Sequence, residues 1–299
     1  MSRMQSITQL AGNSLSCGGH WSDYARYWNL VGSPLRPRLE DVHLYHDLLT
    51  GHLGPTSGEI RNALLFGVTP ELAAHRWPAQ FRLFAVERVP NTIAALWPGN
   101  NAVRHAVCAD WLRPPFGTGQ FDLAIGDGCL VAVGAADRQS RLLAATWSSL
   151  RKGGSLCMRC FCLPETPESV GAVFDALERG LVGSFHAFKW RLAMALQGDA
   201  SDFPVAEIWR TWSATGIDRD RVAASCKWPR ASIDTIDVYR NSSLRYRFAR
   251  HDDLLAQLRA AGFEHVATRY GHYELAERCP VILLRRSSEA PVAAEGVLP

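Results

Sequence analysis

The sequence predicts an α/β fold on a mostly parallel sheet, and three observations carry that prediction. An apolar run of strand character, Ala63-Leu64-Leu65-Phe66, breaks at Gly67-Val68-Thr69-Pro70-Glu71-Leu72-Ala73. A second run, Phe84-Ala85-Val86, is closed by Glu87, an acid about 20 residues beyond the break, which is the order of a nucleotide-binding βαβ unit. A third, Phe121-Asp122-Leu123-Ala124-Ile125-Gly126-Asp127, has the near-continuous apolar character of a parallel strand covered on both faces.

The break after the first run has its own physical logic. Gly67 lets the backbone leave the strand where a side chain would meet a ligand. Thr69 is placed to N-cap the next helix through its hydroxyl, and Pro70 suits the first helical position, where no N–H is needed. A dinucleotide fingerprint would add two more glycines so that backbone can approach a pyrophosphate. Thr69 and Leu72 stand there instead, so the reading is an adenosine-type cofactor without a pyrophosphate. Val107-Cys108-Ala109-Asp110-Trp111 ends in an acid beside an indole, suited to the edge and face of an adenine. Leu150-Arg151-Lys152-Gly153-Gly154 reads as a helix end and tight turn before a fifth strand, Ser155-Leu156-Cys157-Met158.

Taken in this order, the stretch from about residue 60 to 163 resembles the class I S-adenosylmethionine (SAM) dependent methyltransferases. The shared landmarks are the glycine turn after strand one, an acid ending strand two, an acid ending strand three, Phe-Asp-Leu-Ala opening strand four and Leu-Arg-Lys-Gly-Gly before strand five. The resemblance implies a Rossmann-like sheet, mostly parallel with an antiparallel C-terminal edge strand, and SAM as cofactor. It implies that Gly67, with Thr69 beside it, lies against the methionine part and that Glu87 takes the ribose hydroxyls. Asp110 and Trp111 would meet the adenine, and Asp127 would face the reacting centre. The chain departs from the family in having one glycine in Gly67-Val68-Thr69-Pro70-Glu71, where several are usual.

The organisation around this core is read as residues 1–58 a tail and helical lid, 59–163 the cofactor core, 164–248 a helical substrate cap, 249–286 the completion of the sheet, and 287–299 a disordered tail. Trp21-Ser22-Asp23-Tyr24-Ala25-Arg26-Tyr27-Trp28 concentrates aromatics, and a helix there puts Tyr24, Tyr27 and Trp28 on one face. Tyr27 and Trp28 are expected to wall the sulfonium, since a cation over such faces gains about 0.5–2 kcal/mol; Trp21 is read as packing. Arg36 is expected to pair with the methionine carboxylate. Leu39 to Leu53 reads as a second helix stopped by Gly54-Pro55. In the cap, helices are expected from Ser169 to about Arg179, over Phe185 to Leu196 and over Val205 to Trp212, with Trp190, Trp209 and Trp212 packing them. Asp234-Thr235-Ile236-Asp237-Val238-Tyr239-Arg240-Asn241 makes Tyr239 the cap residue expected to make a polar contact. Leu254 to Ala261 reads as a helix, and His265 to Tyr273 and Cys279 to Leu284 as strands.

Composition narrows the partners. A formal charge of +3 spread over 32 basic and 29 acidic residues makes no basic stripe, which disfavours a nucleic-acid partner and points to a small molecule. No apolar run approaches the roughly 20 residues of a membrane span, and the first residues lack a signal-peptide apolar region, so the expected location is the cytoplasm. The oligomeric state stays open. Of eight cysteines, Cys160 and Cys162 fall on one strand face and Cys157 on the other, without a second C-x-x-C pair, so no metal is expected and the thiols are read as reduced and buried. His43 and His46 are read as surface or packing residues.

Methyl transfer from SAM needs mainly in-line positioning and a dry pocket, with a base in some sites. Asp127, Tyr239 and His186 are the candidates, with Tyr27 next. No acceptor-specific signature is present. The main expectation is therefore a small-molecule methyltransferase. The alternatives are a SAM-cyclising enzyme, in which the SAM amine attacks its own γ-carbon to give azetidine-2-carboxylate and methylthioadenosine, and a non-catalytic SAM-binding protein.

Overall fold

A computed structural model describes residues 18–52, 61–77 and 81–288. The expected tail over residues 1–17, the Gly54-Pro55 stop signal and most of the 287–299 tail lie outside the described residues. The chain starts with α1 (Gly18–Arg26), a 3-10 turn at Trp28–Leu30 and α2 (Leu39–His52). Then follow β1 (Arg61–Phe66), α3 (Pro70–Ala73), β2 (Phe81–Glu87), α4 (Pro90–Leu96), β3 (Arg104–Cys108), β4 (Phe121–Asp127), α5 (Cys129–Val133), α6 (Ala136–Ser149) and β5 (Leu150–Arg159). Next come α7 (Val170–Glu178), α8 (Phe185–Gln197), β6 (Phe203–Pro204), α9 (Ala206–Ala214), α10 (Arg219–Cys226), α11 (Arg230–Asp234), a 3-10 segment at Thr235–Tyr239 and β7 (Arg245–Tyr246). The last elements are α12 (His251–Ala260), β8 (Phe263–Arg269) and β9 (Val281–Arg286).

Seven strands form one sheet in the order β3-β2-β1-β4-β5-β9-β8. The first five run parallel, and β9 inserts antiparallel between β5 and β8. This is the mostly parallel sheet with an antiparallel C-terminal edge expected from the resemblance. Residue parity sorts the core: Leu64, Phe66, Leu156 and Met158 pack on one face with Leu142, Leu143 and Leu258, whereas Ala63, Leu65, Ile125 and Cys157 pack on the other with Val42, Tyr45 and Leu72. Cys160 and Cys162 join the first face, opposite Cys157, as period-2 alternation expects. Full burial of each large aliphatic side chain contributes about 1.5–3 kcal/mol. A third cluster, built on Phe185, Phe188, Trp190 and Trp212, holds the inserted helices together.

Several local expectations need correction. Thr69 does occupy the N-cap of α3, but its side chain makes no capping bond, and α3 is a single turn. Leu150 to Gly154 already belongs to β5, entering it through a register shift opposite Phe121 and Leu123. In the insertion, Ser169 and Ser184 cap α7 and α8 through their hydroxyls. The sequence reading missed α10 and α11, because Arg219-Asp220-Arg221-Val222 carries almost no apolar periodicity; α10 is set instead by Asp218, whose carboxylate accepts from the Asp220 and Arg221 N–H groups.

The strand ends are tied by one buried hydrogen-bonded hub. Tyr45 on α2 donates its hydroxyl to the Gly126 carbonyl at 2.5 Å and accepts from the Arg159 N–H at 2.7 Å, so a helix locks the ends of β4 and β5 together. Tyr45→Phe would remove both of these buried hydrogen bonds while filling the same space. We expect chemical denaturation to show a loss of about 1–3 kcal/mol, and a stability equal to the parent's would contradict the role assigned to this hydroxyl.

Candidate functional site

The C-terminal ends of β1, β2, β3 and β4 face one cavity, with about 1140 Å³ of empty space including its mouth. This is where ligands bind in open α/β sheets. Gly67 leaves β1 with a φ of +83°, and a Cβ there would lie 3.4 Å from the Trp111 ring. Glycine is therefore favoured by the backbone, whereas a Cβ would only touch the ring. Trp111 donates its indole N–H to the Val86 carbonyl at 2.7 Å, which fixes the ring beside Gly67. Asp110 accepts from the Leu112 N–H and lines the same wall.

Glu87 ends β2, only 8% exposed, and accepts from the Val89 N–H at 2.8 Å. No arginine or lysine side chain hydrogen-bonds it among the described residues. Burial pushes its carboxyl above the ordinary range, with the Val89 and Arg88 N–H groups and the Arg88 charge pulling back. A buried carboxylate that lacks a cation is costly in a ligand-free protein.

Asp127 ends β4 opposite Arg159 on β5. Arg159, fully buried, donates from Nε to Asp127 Oδ1 at 2.6 Å and from Nη2 to Oδ2 at 3.2 Å. Its Nη1 reaches Asp41 on α2 at 3.2 Å, and Tyr273 donates to the same Asp41 at 2.7 Å. Burial raises the Asp127 carboxyl and Arg159 opposes the rise. Both Asp127 oxygens are occupied, so this carboxylate faces the cavity as a held group rather than a free base. Beyond it Gly128, with φ +63°, lets Phe161 approach; a Cβ there would come within 2.7 Å of that ring.

Trp21, Tyr24 and Trp28 close the cavity from the N-terminal side, and Tyr239, Trp190 and Tyr246 from the insertion. Of the residues expected from the sequence, the structure brings together Tyr24, Trp28, Gly67, Thr69, Glu87, Asp110, Trp111, Asp127 and Tyr239. It does not bring in three others. Tyr27 is 43% exposed, because α1 stops at Arg26 and the 3-10 turn that follows rotates residue 27 outward. Arg36 donates to Glu71 at 2.5 Å and to the Trp28 carbonyl, so its guanidinium is already paired. His186 is buried against the Leu30 carbonyl, away from the lining. Trp21 and Trp190, read from sequence as packing, do line the cavity; Phe161, Tyr246 and the buried Arg159 were not foreseen. The acids near Tyr239 do not reach the cavity, since Arg219 takes both Asp234 and Asp237 at 2.8 Å.

Among the described residues no group of three or more His, Cys, Asp or Glu is arranged to hold a metal ion, and no helix is long and apolar enough to cross a membrane. His46 and His75 meet as a pair at 3.1 Å. The seven described cysteines are free thiols.

No protein-family model and no curated protein matches the sequence. Solved structures do resemble the fold. The CcbJ methyltransferase from Streptomyces caelestis is 13% identical, with 90% of this chain and 98% of that one covered and a TM-score of 0.52. A putative zinc-dependent alcohol dehydrogenase from Rhodobacter sphaeroides is 11% identical, with the same coverage of 90% and 98% and a TM-score of 0.57. The chain thus has the Rossmann-like fold of the class I methyltransferases. The two likenesses carry names of different chemistries, so the choice of function rests on the site.

The state of Glu87 is open to measurement. A carboxyl whose folded pKa is raised destabilises the fold above that pKa, and the cost vanishes below the unfolded value near pH 4.3. Glu87→Gln keeps an oxygen for the Val89 N–H and removes the charge. We expect the ligand-free variant to melt higher than the parent at pH 7, with the gain closing as pH falls toward about 4. A lower melting temperature at pH 7 would make Glu87 a structural residue.

Proposed function

We propose that this chain binds SAM and transfers its methyl group to a small molecule. The observation that carries the reading is the buried carboxylate of Glu87, held by backbone N–H groups with no arginine or lysine side chain hydrogen-bonded to it, set across from Gly67 and Trp111 at the strand ends of one cavity whose lining continues into aromatic side chains. Ribose hydroxyls would add donors to the Val89 N–H that Glu87 already accepts, and Trp111 offers its face to the adenine. Gly67 lets backbone approach the methionine part, while the single-turn α3 behind Thr69 offers no multi-glycine cradle for a pyrophosphate, which argues against a nicotinamide dinucleotide.

SAM brings an electrophilic methyl on a sulfonium that is a good leaving group. The protein's share is to orient and to exclude water. Tyr24 and Trp28 present rings to a cationic sulfur, and Asp127, locked by Arg159, fixes the floor between the cofactor and acceptor sides. The even spread of charge supports a small molecule rather than a nucleic acid as acceptor. The aromatic lining and the commitment of Asp127 to Arg159 also suit the cyclisation of SAM itself, which requires no second substrate.

Product analysis separates these readings. With SAM and a metabolite extract, we expect S-adenosylhomocysteine to accumulate, and with SAM alone nothing. Methylthioadenosine from SAM alone would instead establish the cyclase, and binding without either product a non-catalytic SAM-binding protein. Calorimetry should show Glu87→Ala weakening SAM by about 5- to 150-fold, the effect of about 1–3 kcal/mol for ribose hydroxyls left without their acceptor. Unchanged affinity, or a preference for NAD, would remove the reading.

A further inference from the structure

Three buried groups under the cavity share their charges unequally. Arg159 stands between two carboxylates, bonded to Asp127 at 2.6 and 3.2 Å and to Asp41 at 3.2 Å. The Arg159 and Asp41 side chains are 0% exposed, and that of Asp127 is 6% exposed. Asp41 is also held as an anion from other directions, by the Arg38 N–H at 2.7 Å and the Tyr273 hydroxyl at 2.7 Å. Two carboxylates on one guanidinium leave an excess of one negative charge. Asp127 is the member of this triad that lines the cavity.

The neighbours feel that excess. Burial raises the Asp127 carboxyl, Arg159 opposes by charge and hydrogen bond, and the charges of Asp41 and Glu71 add to the rise. Burial also raises the Tyr24 and Tyr45 phenols, with the charge of Asp127 adding and that of Arg159 opposing. The other charges of the lining do not cancel it. They are Glu87 and Asp110 against Arg88 and Arg138, so with Asp127 three acids face two arginines. Arg88 spends its charge on Glu87, whose carboxyl it pulls back from the rise that burial causes, and Arg138 gives its Nε to the Val133 carbonyl. Behind the lining, Arg36 is matched by Glu71 at 2.5 Å. Lys189 donates to Thr235, and burial lowers its pKa to about 7. A buried layer with one carboxylate too many is costly, and a cation seated beside Asp127 relieves that cost.

We propose that the Asp41–Arg159–Asp127 triad selects a cationic centre beside Asp127, so that SAM, a sulfonium, binds more tightly than neutral S-adenosylhomocysteine, with Asp41 as the positioning residue that sets this preference through Arg159. The selection deepens the SAM reading and rests on it. Methyl transfer breaks the S–CH3 bond, forms the bond to the acceptor and leaves the electron pair on sulfur, which becomes neutral. The product therefore loses the charge that the triad favours, and the site exchanges it for fresh SAM.

SAM and S-adenosylhomocysteine differ only in the methyl and its charge, so the ratio of their affinities reads the field at the sulfur. Calorimetry on the parent, without acceptor, should show SAM bound about tenfold more tightly. Asp41→Asn makes the triad neutral and should cut that ratio by about three- to tenfold, through weaker SAM binding and with S-adenosylhomocysteine affinity kept within about twofold. Tyr273→Phe takes a hydrogen bond from Asp41 but no charge, and should keep the parental ratio. A structural role alone would weaken both ligands alike in both variants, and that result would overturn the assignment. So would S-adenosylhomocysteine binding as tightly as SAM in the parent, or an unchanged ratio in Asp41→Asn. Should Asp41→Asn fail to fold, Asp127→Asn removes the other carboxylate charge and must lower the ratio at least as far. Binding of neither ligand would remove the cofactor reading and this selection together, whereas S-adenosylhomocysteine binding without a preference for SAM would remove the selection alone.

Discussion

Arg159 is the constraint on which the rest of the site depends. A guanidinium with no exposure to solvent must have its charge and its N–H groups answered inside the protein, and here Asp127, Asp41 and Tyr273 answer them. Removing one partner of such a buried group costs about 3–5 kcal/mol in comparable systems. The hub draws together four separate parts of the chain, α2, β4, β5 and the segment before β9. It thereby sets where the backbone turns at Gly128 and where Phe161 stands, 5.2 Å from the guanidinium. The floor of the cavity is thus a rigid ionic layer, and the chemistry-bearing walls are built on either side of it.

The two sides differ in physical character. On the β1–β3 side the lining is polar and local, with Gly67, Glu87, Asp110 and Trp111 all within three residues of a strand end, so their positions follow directly from the sheet. On the other side the lining is aromatic and assembled from distant segments, α1, β5, α8, the 3-10 turn at Thr235–Tyr239 and β7. The first side suits a ligand common to a fold, the second a ligand particular to this chain. That division also explains why the cap is packed so heavily: Phe185, Phe188 and Trp212 meet one another at 5.3–5.7 Å, which holds Tyr239 and Trp190 in place without using them as structural hydrogen-bonding groups.

The strand-end residues were legible from the sequence because each closes an apolar run, and a run's end is a local property. Ordered landmarks then supplied the sheet, including the antiparallel partner at its C-terminal edge. What escaped was non-local. Tyr27 was placed by extending α1 through Trp28, past its end at Arg26, which turned an outward residue inward. Arg36 looked free because its partner, Glu71, lies 35 positions away. Arg159 carried a readable signal that was passed over: a lone arginine inside Leu156-Cys157-Met158-Arg159-Cys160-Phe161-Cys162 is a charge in a buried strand, and such a charge requires a partner. Asp127, at the end of the neighbouring strand, was the available acid. Trp190 was read as packing on helical spacing alone, which cannot reveal that its N–H has no partner.

The central claim is that the nucleotide lies across Gly67, Glu87 and Trp111 with its reactive end turned toward the aromatic chamber. A crystal structure of the protein with S-adenosylhomocysteine tests it most directly. The account predicts ribose hydroxyls about 3 Å from the Glu87 carboxylate, the adenine against Trp111, and the sulfur beside Asp127 with Tyr24 and Phe161 beyond it. A nucleotide bound away from Glu87, or one with its sulfur turned from the chamber, would contradict it.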